Sequence, residues 1–87
     1  MKLLGRNKLR ALYGIDLQTD KWLVSWTSEI SRANWKHGND VLHQFPQARR
    51  DTDSVFSFRV GLHDHVIEVS IMFPLAIAVI TDLKRIN

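Results

Sequence analysis

The chain has 87 residues, of which 45% are hydrophobic and 24% are charged, so it has material for one domain with one core and a soluble surface. Cysteine is absent, which excludes a disulfide scaffold, a thiolate zinc site and a cysteine nucleophile. No apolar run reaches the ~18 residues of a transmembrane helix, and Gly5 follows Leu3 and Leu4 too soon for a signal-peptide core. We therefore expect a cytoplasmic protein.

Positive charge is concentrated at the start of the chain. The net charge is +3, and Lys2, Arg6, Lys8 and Arg10 lie among the first ten residues, which contain no acid. A basic block of this kind indicates contact with phosphates or with an acidic protein partner. A solvated helix face explains the same block equally well.

The first half of the chain predicts a short strand and three helices. Residues 1–4 are a strand, and a helix capped by Asn7 begins at residue 8 and ends before Gly14. The clearest helix spans residues 21–33, capped by Thr19 or Asp20, because its tryptophans share one face and are expected to anchor the core. A short helix follows over residues 40–45, capped by Asn39.

The last third changes to the alternation that is typical of strands. Residues 47–53 are a polar loop, residues 55–60 and 66–73 are strands, and residues 61–64 are a turn. The apolar run 76–80 predicts a central strand that is buried on both faces, and residues 82–87 are a polar tail. Short turns predict an antiparallel meander. The fold class is therefore α+β, with the N-terminal strand and the helices packed on one face of an antiparallel sheet.

Few catalytic chemistries fit these residue types. The four histidines are scattered and have no cysteine beside them, so we predict neither a metal site nor a cofactor. A Gly-x-Ser-x-Gly motif and a glycine-rich phosphate loop are both absent. RNA cleavage without a metal needs only a group that takes the 2′-OH proton, cations for the phosphorane and a proton donor. We expect Arg59, His63 and His65, at neighbouring strand and turn positions, to supply two of these three roles.

The segment ANWKHGNDV at 33–41, followed by Phe45, resembles the A-x-W-K-x-x-x-D-V…F signature of the HigB family of RelE-like bacterial toxins. The opening MKLLGRNKL resembles the family's first strand and basic turn, and FRVG at 58–61 resembles its F-N-I-G strand and turn. The resemblance covers nearly the whole chain. It implies a compact RelE-like fold and a toxin that cleaves mRNA at the ribosome and is silenced by a cognate antitoxin.

The chain departs from the family where the family carries its catalytic residues. Val66 and Thr81 stand where the family has arginines, and residues 84–87 replace a segment with a histidine and a tyrosine. We therefore predict substitute catalytic residues in the same part of the chain, namely Arg59, His63, His65, Lys84 and Arg85. The RNA-binding residues that we predict are Arg6, Lys8, Arg10, Lys36, Arg49 and Arg50.

Three functions remain open from the sequence. The first is an active mRNA interferase that cleaves translated mRNA, with the antitoxin, mRNA and ribosome as partners and no membrane contact. The second is a degenerate toxin homologue that binds an antitoxin or regulates through it. The third, a DNA-binding protein, rests on charge alone. Apolar residues of the 76–80 run offer a surface to an antitoxin or a second copy, so both a homodimer and a heterotetramer with antitoxin are open.

Overall fold

The computed structural model describes residues 1–61 and 64–86. Its elements, in chain order, are β1 (Lys2–Leu4), a first 3₁₀ helix (Arg6–Leu12), α1 (Leu17–Arg32), α2 (Gly38–Gln44), β2 (Arg49–Arg50), β3 (Val55–Arg59), β4 (His65–Met72), a second 3₁₀ helix (Phe73–Leu75) and β5 (Ile77–Arg85). The predicted α+β class is confirmed.

The strands form one sheet in the order β1-β5-β4-β3-β2. The meander β3-β4-β5 is antiparallel, as predicted, and β2 is antiparallel to β3. The prediction of an antiparallel sheet is nevertheless wrong at one edge, because β1 lies parallel to β5. The meander fixes the direction of β5, and the long connection through the helices allows the parallel pairing with β1. The sheet is therefore mixed.

The core lies between this sheet and α1. The sheet contributes alternate residues of its strands because side chains of a strand point to opposite faces in turn. Trp26 of α1 is 2% exposed, and its ring centre lies 5.4 Å from that of Phe58 in an edge-on contact. Trp26 is thus the predicted core anchor, whereas Trp22 is only partly buried. The buried apolar residues of the sheet are Leu3, Phe56, Phe58, Ile67, Val69, Ile71, Ala78 and Ile80.

The helices begin at caps other than the predicted ones. α1 starts at Leu17 because the Asp16 carboxylate accepts the backbone N–H of Thr19 at 2.7 Å, which satisfies a donor of the first turn. α2 starts at Gly38 after His37 rather than after Asn39. The predicted helix from residue 8 is a 3₁₀ helix that begins at Arg6, directly after Gly5 in the left-handed conformation.

The last strand is longer than predicted and is buried on one face. Residues 82–85, predicted as a polar tail, belong to β5, where Lys84 pairs with Val66 of β4. Ala78 and Ile80 are fully buried, whereas Ile77 and Val79 are half-buried, so the prediction of burial on both faces is wrong. Polar residues continue the strand because they find partners on its outer face. Similarly, the predicted polar loop 47–53 contains the short strand β2.

Across the described ranges, no helix has both the length and the apolar character that crossing a membrane requires.

Candidate functional site

The face of the sheet opposite α1 carries a concave surface, which we call the cationic cavity. Its volume is about 330 Å³, and its lining residues are Gln47, Arg49, Ser57, Arg59, Val66, Lys84, Arg85 and Ile86. All the charged residues in this lining are cations. A concave site lined by one sign of charge raises the local concentration of ligands of the opposite sign, so the cavity favours an anion.

Strand register brings these cations together. Arg49 of β2 lies opposite Ser57 of β3, two residues before Arg59. Arg59 lies opposite Val66 of β4, and Val66 lies opposite Lys84 of β5. Because residues two apart on a strand and residues opposite each other share a face, Arg49, Arg59 and Lys84 project from the same side of the sheet.

Lys84 is held in place by Glu68. The Lys84 ammonium donates to Glu68 Oε2 at 2.8 Å, and the Thr81 hydroxyl donates to Oε1 at 2.9 Å. The hydrogen bond from Lys84 is the main cause that lowers the pKa of Glu68, and the same bond raises the pKa of Lys84. Both groups are therefore ionised at neutral pH.

Arg49 is fixed in a similar way by Asp51. Its Nε donates to Asp51 Oδ1 at 2.7 Å, and the Ser57 hydroxyl donates to Oδ2 of the same carboxylate. The Ser57 hydrogen bond is the largest cause that lowers the pKa of Asp51, ahead of the hydrogen bond from Arg49. The carboxylate therefore stays charged at neutral pH and orients one edge of the guanidinium.

Arg59 lies at the rim of the cationic cavity. Its guanidinium is 4.0 Å from the Asp64 carboxylate, and both side chains are more than half exposed. An exposed pair at this distance holds the guanidinium weakly. The Asp64 carboxylate therefore fixes this guanidinium less firmly than Asp51 and Glu68 fix Arg49 and Lys84.

Three of the five predicted catalytic residues meet in this cavity, namely Arg59, Lys84 and Arg85. His65 is not among its lining residues: it alternates with Val66 along β4, which places it on the same face as the buried Ile67. The His65 Nδ1 atom is itself shielded from solvent. His63 lies outside the described residues.

Of the predicted RNA-binding residues, only Arg49 lines the cationic cavity. Arg50 alternates to the other face, where its guanidinium lies 5.8 Å from the centre of the Phe56 ring. Arg6 donates to the Ser31 hydroxyl at 2.9 Å. The remaining residues, Lys8, Arg10 and Lys36, are exposed elsewhere on the surface.

The sequence analysis missed Ser57, Glu68 and Asp51, which orient the cations. The alternation of residues 55–60 already placed Ser57 on the same face as Arg59, so this part could have been found. Glu68 could not, because its pairing with Lys84 depends on the unexpected length of β5.

A second concavity, the aromatic cleft, lies on the helix side of β3. Its volume is about 340 Å³, and its lining residues are Trp22, Trp26, Gln44, Phe45, Pro46, Gln47, Ala48, Phe58, Arg59 and Gly61. Gln47 and Arg59 line both concavities. The two sites therefore adjoin each other at these residues.

One lining residue of the aromatic cleft carries a buried donor without an acceptor. The ring planes of Trp22 and Trp26 differ by 10°, with their centres 6.0 Å apart, and Phe45 meets Phe58 edge-on at 5.3 Å. Within the described residues, the Trp26 Nε1 atom is buried and has no hydrogen-bond partner. Such a donor costs roughly 1–3 kcal/mol of folding free energy.

Metal chemistry finds no support in the described ranges: nowhere in residues 1–61 and 64–86 do three histidine or acidic side chains cluster as metal ligands.

Comparison with models of known protein families finds no match, and no curated protein matches the chain. Function is therefore inferred from the chemistry of the two concavities and from the segment 33–41, which resembles the HigB signature.

Proposed function

We propose that this protein is a ribonuclease toxin of the HigB type, which cleaves translated mRNA at the ribosome. The observation that carries this proposal is the cationic cavity, in which Arg49, Arg59, Lys84 and Arg85 are the charged lining residues. An RNA backbone carries one negative charge per nucleotide, and arginine pairs with phosphate oxygens through two parallel hydrogen bonds. The resemblance of residues 33–41 to the HigB signature supports the choice of RNA.

The cations account for the charge-stabilising part of the reaction. The 2′-oxygen of RNA attacks the adjacent phosphorus and displaces the 5′-oxygen, so that a 2′,3′-cyclic phosphate forms. Negative charge builds up on the phosphorane oxygens in the transition state, where preoriented cations stabilise it. Arg49 and Lys84 are preoriented by Asp51 and Glu68, and Arg59 lines the same cavity.

Proton transfer is the second requirement. The 2′-OH must lose a proton, and the leaving 5′-oxygen must gain one. Glu68 is an ionised acceptor beside the cavity, and Lys84 is a protonated donor within it. His63 stays a predicted catalytic residue, as does His65, although His65 requires a substrate that reaches the other face of the sheet.

A regulating partner fits the same cavity. An antitoxin with an acidic segment would neutralise the cations that bind RNA, because surfaces of opposite charge attract each other across an interface. We propose this blockage as the means by which a cognate antitoxin silences the protein.

One observation favours a second candidate, a degenerate toxin homologue that binds the same partners without cleavage. The pKa of Glu68 is lowered and that of Lys84 is raised, each mainly by the hydrogen bond between them. An efficient acid or base has a pKa near the working pH, so both groups are poor catalysts of proton transfer. The protein would then be an RNA- or antitoxin-binding module.

Induced expression in a bacterial host without an antitoxin separates the two candidates. For an active toxin we expect growth arrest, with primer extension showing cuts in a translated reporter mRNA but none in the same mRNA without a start codon. The Arg59→Ala, Lys84→Ala and Arg85→Ala triple variant should restore growth. The control is a Lys2→Ala, Lys21→Ala and Arg32→Ala triple variant, which loses equal charge outside the cavity.

Normal growth with folded wild-type protein and intact mRNA would reject the ribonuclease. Arrest that persists unchanged in the cavity variant would reject the cationic cavity as its site.

A further inference from the structure

The aromatic cleft and the cationic cavity adjoin each other at Gln47 and Arg59, and this adjacency carries a further inference. We propose that the aromatic cleft receives a base of the RNA strand whose phosphates bind in the cationic cavity. This inference rests on the proposed RNA-binding function and adds a base subsite to it. The base would enter the cleft where the RNA passes Gln47 and Arg59, which line both concavities.

The chemistry of the cleft suits a nucleobase. Two indole rings and two phenyl rings line it, and bases stack on aromatic side chains in most proteins that bind single strands. Trp22 is only partly buried, so its ring is available to a ligand at the mouth of the cleft. The volume of about 340 Å³ lies at the lower end of the range for small-molecule sites.

Polar groups of the cleft add hydrogen-bonding capacity. The Trp26 indole N–H is a buried donor without a partner in the described residues, and each base carries nitrogen or oxygen acceptors on its edge. Gln47, at the junction, provides both a donor and an acceptor. Buried polar groups nearly always have partners. Because the Nε1 atom is shielded from solvent, a base edge pairs with it only once a neighbouring side chain of the cleft moves aside.

The position of Arg59 distinguishes this cleft from an unrelated apolar depression. Its guanidinium contributes to the lining of both concavities. A guanidinium can contact a phosphate with its edge and stack on a base with its plane. Arg59 therefore lies where a nucleotide would pass from its phosphate to its base.

The inference is tested by binding of a short single-stranded RNA and of an abasic strand of the same length. In the Trp22→Ala variant we expect RNA affinity to fall about 5- to 100-fold, as for loss of one base stack, with the abasic strand unaffected. Val24→Ala is the matched control, because Val24 lies on the exposed side of the same helix. Circular dichroism verifies that each variant is folded.

The indole N–H resonances give a second readout, since the chain has three tryptophans. The resonance lost in Trp26→Phe identifies Trp26, and in the wild type it should shift when RNA is added but not when the abasic strand is added. RNA that binds equally well to Trp22→Ala, without moving this resonance, would overturn the base subsite while leaving the cationic cavity in place.

A wild type that binds no RNA at all would count against the proposed function instead. Nucleoside monophosphates then decide the inference separately: a shift of the Trp26 resonance at millimolar concentrations supports a base subsite, and an unchanged spectrum overturns it. A shift produced by apolar peptides but not by nucleotides also overturns it, because the cleft would then serve a protein partner.

Discussion

The two faces of the sheet are built from the same strands but satisfy opposite requirements. The face toward α1 buries apolar side chains, such as Phe58, Ile67 and Val69, at exposures of 0 to 3%. The opposite face carries Glu68 and Lys84, which form an ion pair with each other, and Arg59, which pairs with Asp64. Alternation along each strand is enough to place the buried apolar residues on one face and these charged residues on the other.

The two faces of the sheet contribute unequally to the stability of the fold. Burial of aromatic and aliphatic surface stabilises the fold by about 25 cal/mol per Å² of area removed from water, whereas exposed ion pairs contribute little. The helix-covered face therefore supplies most of the folding stability, and substitutions of charged residues on the open face should change that stability little. The aromatic cleft lies at the boundary, because Phe58 belongs to the core and also lines the cleft.

The largest expected effect comes from two adjacent residues of β3. Phe58→Ala removes a ring that meets both Trp26 and Phe45, so we expect a loss of roughly 3–5 kcal/mol in the free energy of unfolding. Arg59→Ala, one residue later on the other face, should cost at most about 1 kcal/mol. Urea unfolding measures both values, and a similar loss in the two variants would contradict the division between the faces.

The sequence anticipated the helix-covered face better than the open face. Trp26, Phe56 and Phe58 are recognisable as core because their spacing matches a helix or a strand and because apolar burial dominates folding. The open face depends instead on which strands pair and in what register. The sequence predicts a tail at Lys84, since nothing local in residues 82–85 indicates that their neighbour is β4. The parallel pairing of β1 with β5 was missed for the same reason.

The site followed this pattern. Arg59, Lys84 and Arg85 are candidates because of their residue types and their part of the chain. Register places Arg59 and Lys84 on one face, whereas Arg85, which pairs with His65, lines the cavity from the end of β5. His65 was expected beside them, but a single position of alternation moves it to the other face. The sequence therefore predicts which residue types the site contains. It does not predict which face of the sheet each of them occupies, because a strand boundary that is wrong by one residue reverses the face.

The next effect concerns how the first 3₁₀ helix approaches β5. Gly5 has a φ of 85°, and a Cβ there would lie 2.6 Å from the carbonyl oxygen of Ile80. Gly14 has a φ of 86° but nothing within 4 Å. Both Gly→Ala variants should lose about 1–2 kcal/mol to backbone strain, and Gly5→Ala should lose roughly 1–3 kcal/mol more from the clash.

Thermal unfolding of these two glycine variants gives the comparison directly. Equal losses of unfolding free energy in the two variants would show that the backbone at Gly5 can move away from Ile80. The close approach of Gly5 to Ile80 would then not be needed to hold the first 3₁₀ helix against the sheet.

Substitution of cations on the open face should have a smaller effect, and this effect should be on RNA affinity rather than on folding stability. Arg49→Ala with Lys84→Ala removes two cations of the cavity, and each lost phosphate contact should lower the slope of log affinity against log salt by about 0.7 for single-stranded RNA. We expect RNA affinity to fall roughly 10- to 100-fold at low salt. Lys21→Ala with Arg32→Ala removes equal charge from α1 and should leave the slope unchanged; an equal change there would indicate attraction by net charge alone.

The smallest effect is the response of stability to acid. The hydrogen bond from Ser57, followed by that from Arg49, lowers the pKa of Asp51 in the folded protein. Because the folded pKa lies below the unfolded value, the ionised carboxylate stabilises the fold above about pH 4, and this stability is lost as the pH falls through the folded pKa. Asp51→Asn should therefore reduce the difference in unfolding free energy between about pH 7 and pH 2.5, by at most about 1 kcal/mol.

Asp53→Asn makes the same substitution at a fully exposed side chain and serves as the control. A difference that stays as large in Asp51→Asn as in Asp53→Asn would show that the Arg49, Asp51 and Ser57 contacts do not persist in solution, and Arg49 would then meet its phosphate without preorientation.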